Sequence, residues 1–378
     1  MPRRCAVDIH TDVSGTPSRI YLRLISLASP LSLFPLFTSF PILPHIRLQK
    51  LVCLYILLHM TFASFRQHIK PWMLPIAMLL GVVLHNYIGY VAFLSKYIIF
   101  VMLLITYCRL RPRDLHIGGY IGWLLLAQVV GAVAAYLIIR PFSELVAQGA
   151  FICIFCPTAT AAPVITGMLG GSVSKVATYS LFSNLAVALL GPLLLSWMSQ
   201  ADLSASLADV AGAASGPTPP ESFFESFRYI AATVSPIILA PLALAFLMAR
   251  FAPRAHSKLA NNQGLSFYIW AVALIIVVGN SVSFVLKEPA SMIGVIILLA
   301  VTSLITCILQ FATGRFIGRR YGDVISSAQS LGQKNTVLAI WLALSYLNPV
   351  VSIAPAAYVA WHNTINSYQI YRHTKQSR

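Results

Sequence analysis

From Pro71 to the C-terminus the chain alternates long apolar runs with short polar breaks. A membrane-spanning helix needs roughly 20 mostly apolar residues. Ten runs fit, at 71–89, 91–108, 117–139, 145–170, 175–198, 227–249, 266–286, 290–314, 322–346 and 350–371. The pattern predicts an all-α integral membrane protein of ten transmembrane helices in two sets of five. The fourth and ninth runs are interrupted. Run four contains CPTATAAPVITGMLGG, residues 156–171, in which Pro157 and Pro163 each remove a backbone donor. Run nine contains SLGQKN, residues 330–335, a polar knot with Gly332 inside an otherwise apolar helix.

The charges orient these runs. Basic residues gather at every second end: Arg66 and Lys70, Arg109, Arg111 and Arg113, then Lys175. They continue with Arg250, Arg254 and Lys258, then Arg315, Arg319 and Arg320, then Arg372, Lys375 and Arg378. The opposite ends carry only Lys96, Arg140, Arg228 and Lys287. Lys and Arg collect in cytoplasmic loops, so both termini are expected in the cytoplasm and the protein in the cytoplasmic membrane. Adding or removing one run would break the alternation. Five is odd, so the two sets enter the membrane from opposite sides, as in an inverted-topology repeat. The predicted organisation is a first repeat at 60–199, an extracytoplasmic linker at 200–226 and a second repeat at 227–378. The linker is Ala/Ser/Gly/Pro-rich and carries Asp202, Asp209, Glu221 and Glu225 without a basic residue.

Composition agrees. Only 10% of residues are charged against 58% hydrophobic, whereas a soluble domain carries about 25% charged residues. A net charge of +16 raises the question of nucleic acid. The basic residues form short clusters between apolar runs, not one basic face with interleaved aromatics, so nucleic acid is excluded as a partner. Residues 1–59 differ from the rest, with apolar stretches broken by Pro30, Pro35, Pro41 and Pro44. They read as a disordered or mis-annotated extension, with the protein proper starting near Met60.

Broken helices at matching positions of an inverted repeat mark the binding site of many transporters. Unwound backbone at membrane depth is tolerated only where it lines a cavity or is buried in protein. Lys334 sits in the second break, and between Arg320 and Arg372 the only charged residues are Asp323 and Lys334. A lysine at the centre of a membrane helix costs about 2.5–3.5 kcal/mol, so something must offset it. Three roles fit: a built-in cation for the carbonyls at half-helix C-termini, a titrating proton carrier, or a direct contact to an anionic substrate. Snorkelling to an interface is the structural alternative. Ser180, Ser183 and Asn184 share a helix face by spacing and are expected to meet Lys334, Asn335 and Thr336; ordinary interhelical hydrogen bonding is the other reading. The candidate binding core is therefore Lys334, Asn335, Gln333, Ser330, Thr336, Thr158, Thr160, Ser180, Ser183 and Asn184.

Other groups carry less. Cys153 and Cys156 have metal or redox spacing, but no second pair or histidine cluster lies close in sequence. No metal or other cofactor is expected. No HExxH motif and no paired carboxylates lie in the runs, so the groups of an intramembrane enzyme are missing. His85 and His362 are expected to pack, and Trp341 and Trp361 to pack or anchor at the interface.

The stretch CPTATAAPVITGMLGGSVSKVATYSLFSNLAVALLGPLL resembles the fourth and fifth spans of the bile acid:sodium symporter family. GQKNTVLAIWLALSYLNPVVSIAPAAYVAWHN resembles its ninth and tenth. The match is anchored by Cys156-Pro157, Thr160, Ala161, Pro192, Gly332, Asn335 and Trp361-His362-Asn363, within about residues 70–373. The resemblance implies a panel of spans one, two, six and seven beside a core of spans three to five and eight to ten. It also implies crossed broken helices and sodium-coupled transport of organic anions. The departures fall on the family's sodium ligands. Ser330 stands where the family has a glutamate, Lys334 where it has a glutamine, and Ala162-Pro163 where it has Ser-Asn. Sodium prefers oxygen ligands. A second unit charge about 4 Å from a protonated lysine is repelled by roughly 4 kcal/mol at an effective dielectric constant of about 20. The expectation is a secondary transporter of a small organic anion, working by alternating access in the lipid bilayer and independent of sodium, with Lys334 replacing the ion or carrying a proton. A sodium-coupled symporter of the bile-acid type and a sensor with a transporter fold are the alternatives.

Overall fold

A computed structural model describes residues 73–110, 115, 118–209 and 223–376. The chain divides into two units, Met1–Lys70 and Pro71–Arg378, and every described residue belongs to the second. The expected extension at 1–59 lies outside the described residues, as does 210–222 of the expected linker.

The described chain is all-helical. α1 (Met73–Val83) and α2 (His85–Ile88) lead through a short turn into α3 (Leu94–Cys108). The chain turns by 74° between 85–91 and 94–108, next to the boundary at 89–91 that the apolar runs suggest. α4 (Gly119–Ile139), α7 (Val173–Asp209), α8 (Phe223–Phe251), α10 (Gln263–Val285) and α11 (Ile293–Arg320) are the long helices. Each holds a stretch long and apolar enough to cross a membrane, which makes five such stretches among the described residues, or six with the bent pair. α9 (Pro253–Asn261) is a short connecting helix that rests on α3. α7 continues to Asp209 and takes up the start of the segment expected to be linker.

The fourth and ninth runs are each split. The fourth gives α5 (Glu144–Phe155) and α6 (Ala162–Met168); the ninth gives α12 (Val324–Gly332) and α13 (Thr336–Tyr346). Too short to span alone, these halves need partners for the backbone groups freed at each break. α14 (Ile353–Gln376) follows. It has the length of a span, but Asn363, Asn366, Gln369 and Arg372 dilute its apolar character.

α10 packs on α1 and α3, and α8 on α3 and α7. α11 packs on α5, α12 and α14, with α4 against α5. Small residues allow the closest approach. A Cβ on Gly314 or Gly318 of α11 would stand 2.5 Å from the carbonyl oxygen of Ser327 or Asp323 on the α12 side. That is the small-xxx-small packing of membrane helices. The opposite side of α11 leaves Ile297, Val301, Ile305, Ile308 and Leu309 exposed. Contiguous exposed apolar surface of this kind is unstable in water and suits lipid. The helices thus support a multi-pass membrane protein.

Candidate functional site

Each broken helix starts with a side-chain cap. Ser143 accepts from the Val146 N–H at 3.4 Å to open α5, and Asp323 accepts from the Ser326 N–H at 3.0 Å to open α12. Asp323 also pairs with Lys175 at 2.9 Å. From these anchored ends both half-helices run inward to their breaks. Pro157 lies in the first unwound stretch, whereas Pro163 falls in the first turn of α6, where a missing N–H costs nothing.

The two breaks meet. Thr158 and Lys334 form an isolated antiparallel β-bridge. The Ala159 N–H donates to Gln333 O at 3.1 Å, and the Asn335 N–H donates to Pro157 O at 2.7 Å. Two side chains then reach across. Thr158 Oγ1 donates to Ser330 O at 2.7 Å, and Lys334 Nζ donates to Ile154 O at 2.7 Å. These four bonds form two matched pairs. Exchanging Thr158 with Lys334 also exchanges Ile154 with Ser330, Pro157 with Gln333, and Ala159 with Asn335. The crossing thus has local two-fold symmetry, and each break caps the helix C-terminus of the other. The symmetry fails chemically at one point, where a hydroxyl on one arm faces an ammonium on the other.

The ammonium is placed where helix ends are negative. Ile154 O belongs to the last turn of α5, whose carbonyls lack intrahelical partners and carry the negative end of the dipole. Lys334 is 1% exposed, so it does not snorkel. The ion pairs among the described residues are Arg140–Glu144 and Lys175–Asp323, and neither involves it. Its titratable neighbours are Cys153, Cys156 and Cys307, all buried and unbridged. Cys153 and Cys156 therefore pack around the crossing. Among the described residues no group of three or more His, Cys, Asp or Glu side chains is arranged to hold a metal.

Gln128, which the sequence reading passed over, completes the cap. From the middle of α4 its Nε2 donates to Phe155 O at 2.5 Å and to Cys156 O at 3.3 Å. Its Oε1 accepts from Tyr179 Oη at 2.6 Å and Ser183 Oγ at 2.8 Å. On the other arm Tyr358 Oη donates to Gly332 O at 2.9 Å. Gly332 has no room for a side chain, because a Cβ there would fall on the Phe311 ring.

The expected core residues are distributed as follows. Ser330, Gln333, Lys334, Asn335, Thr336 and Thr158 are all buried at the crossing. Thr160 is half-buried in the turn leading to α6. Ser180, Ser183 and Asn184 are buried on α7, but their hydrogen bonds run elsewhere than to Lys334. Ser183 serves Gln128, and Asn184 Nδ2 donates back to Ser180 O at 2.7 Å. Asn335 caps α13 by accepting from the Leu338 N–H at 3.2 Å. Ser330 Oγ, Asn335 Nδ2 and Asn184 Oδ1 are buried with no hydrogen-bond partner, which leaves polar capacity at and beside the crossing.

His362 is buried and stands edge-on to the Tyr358 ring. His85 Nδ1 is hydrogen-bonded to Val82 O. Trp361 packs on α11 through bonds from Nε1 to Ala300 O and Ser303 Oγ, and Trp341 packs against Tyr346. No protein-family model matches the sequence. No curated protein matches it significantly.

Proposed function

We propose that the chain is a secondary transporter that moves a small organic anion by alternating access, with the Lys334 ammonium in place of a coupling metal ion. The observation that carries this reading is the crossing itself: two broken helices, each capping the other, with Lys334 Nζ fixed on a C-terminal carbonyl. A structural protein gains nothing from two interrupted spans that long uninterrupted helices would not supply more cheaply. Unwound segments of this kind serve transporters by presenting backbone groups and dipole ends to a solute. The unpartnered Ser330 Oγ and Asn335 Nδ2 are groups such a solute can use.

The ten-span inverted repeat and the resemblance to bile acid:sodium symporters belong to the same proposal. The two-fold pattern of the crossing and the packing of α10 on α1 and α3 and of α8 on α3 support them. Of the three roles for Lys334, the built-in cation is preferred. Its ammonium is committed to Ile154 O and shielded from solvent, which disfavours direct substrate contact. Sodium coupling is disfavoured by the same charge. A sensor with this fold is the reading of another class, and counterflow separates the two. A thermal-shift screen of small carboxylates and sulfonates identifies a bound anion, since a ligand raises apparent stability. Preloading proteoliposomes with that anion should then accelerate entry of its labelled form. Binding without counterflow would remove transport from the account and leave the sensor.

A further inference from the structure

Between α6, α11, α12 and α14 lies a cleft of about 690 Å³ that the crossing does not use. Its lining combines Arg315, Arg372, His373 and Gln369 with apolar residues that include Leu169, Ile308 and Ile325. Arg315 and Arg372 have no acidic partner among the described residues. Each lies over an aromatic ring of its own helix, Phe311 and Tyr368 respectively, at about 6 Å.

A chain of amides ends in this cleft. Gln333 Nε2 donates to Gln329 Oε1, and Gln329 Nε2 donates to Gln369 Oε1 at 2.8 Å. Gln369 Nε2, the next donor, is buried with no partner. The amide dipoles therefore run in sequence and reinforce one another, and the unused donor belongs to a residue that lines the cleft together with Arg315 and Arg372. That set of groups calls for an acceptor with negative charge. The apolar wall says what carries it. Ile308 is 52% exposed and continues into the lipid-facing row of Val301, Ile305 and Leu309, so the cleft opens onto the surface that meets acyl chains. A soluble anion needs no such continuation; an amphiphile does.

We propose that this cleft is a binding site for an anionic phospholipid, with its phosphate held by Arg315, Arg372 and Gln369 Nε2 and a chain lying along Ile308. Basic pockets between membrane helices bind headgroups in this way. The site goes beyond the transport reading and stands or falls separately from it. Because the amide chain starts at Gln333, the lipid also touches the crossing through three side chains.

The full chain is purified from nanodiscs of phosphatidylcholine mixed with phosphatidylglycerol, and the lipid retained through detergent exchange is counted by native mass spectrometry. Wild type should keep phosphatidylglycerol in preference to phosphatidylcholine. R315Q/R372Q should lose that preference, by roughly fivefold per arginine. T364W, which fills the cleft and keeps both arginines, should lose it too, and gives a readable result if the charge variant fails to fold. R319Q/R320Q removes two exposed arginines outside the cleft lining and should stay within about twofold of wild type. An equal loss in R319Q/R320Q, an undiminished preference in T364W, or no preference in wild type overturns the site. So does displacement of the lipid by a soluble carboxylate, which would give the cleft to a soluble anion.

Discussion

Replacing Lys334 with methionine keeps an unbranched chain one atom shorter and removes the charged Nζ that reaches Ile154 O. Two opposing effects follow, and they act at different steps. Insertion of the span becomes easier, because a central lysine costs about 2.5–3.5 kcal/mol. Packing becomes worse, because Ile154 O loses its donor in a place sealed from water. A hydrogen bond to a charged group contributes about 1.5–3 kcal/mol. The variant should therefore reach the membrane at least as well as wild type and unfold earlier. At 2–4 °C per kcal/mol the loss corresponds to a drop on the order of 3–12 °C. Membrane-fraction yield reads the first step, and thermal unfolding in detergent, followed by size-exclusion chromatography, reads the second. K334M that unfolds at or above the wild-type temperature would show that the ammonium does not hold the crossing together.

Other consequences follow from the same geometry. Q128L orphans two carbonyls of the α5 terminus and the Ser183 hydroxyl, and leaves Tyr179 Oη only its 3.5 Å bond to Leu124 O; at about 1–3 kcal/mol per unsatisfied group its unfolding temperature should fall at least as far as that of K334M. G332A forces a methyl group onto the Phe311 ring and should cost about 1–3 kcal/mol, partly recovered in G332A/F311L; no recovery would place the strain elsewhere. D323N breaks the pair with Lys175, which is part-exposed and worth at most about 1 kcal/mol, so its unfolding temperature should stay within a few degrees of wild type. A G314L/G318L pair should abolish folding, since both side chains would enter the α12 backbone; a normally folded product would contradict the α11–α12 contact.

The sequence exposed the two breaks because the paired prolines Pro157 and Pro163 and the polar run 330–335 fall in the fourth run of each set, whereas Pro192, Pro236 and Pro241 stay inside continuous helices. It could not expose what the breaks touch. Which carbonyl receives Lys334 depends on the angle at which α5 and α12 approach, and no local pattern encodes that angle. Gln128 was within reach: it is the single strongly polar side chain inside GYIGWLLLAQVVGAVAAYLII, and it invited the question asked of Lys334. Tyr179 and Tyr358 gave no such signal, because a tyrosine in an apolar helix is ordinary packing until its hydroxyl is placed. Ser180, Ser183 and Asn184 were correctly put on one face by spacing, but their bonds go to Gln128 and their own helix. Spacing fixes a face and not the neighbour it meets. The bend between 85–91 and 94–108 falls beside the boundary that the apolar runs placed at 89–91, where His85, Asn86 and Gly89 interrupt the apolar pattern.

Uptake of the anion found by the thermal-shift screen, into proteoliposomes with sodium replaced by choline at equal ionic strength, tests the replacement of the ion by Lys334 most directly. Equal initial rates in the two salts are predicted for wild type, with loss of uptake in K334M. Uptake that collapses without sodium would contradict the account.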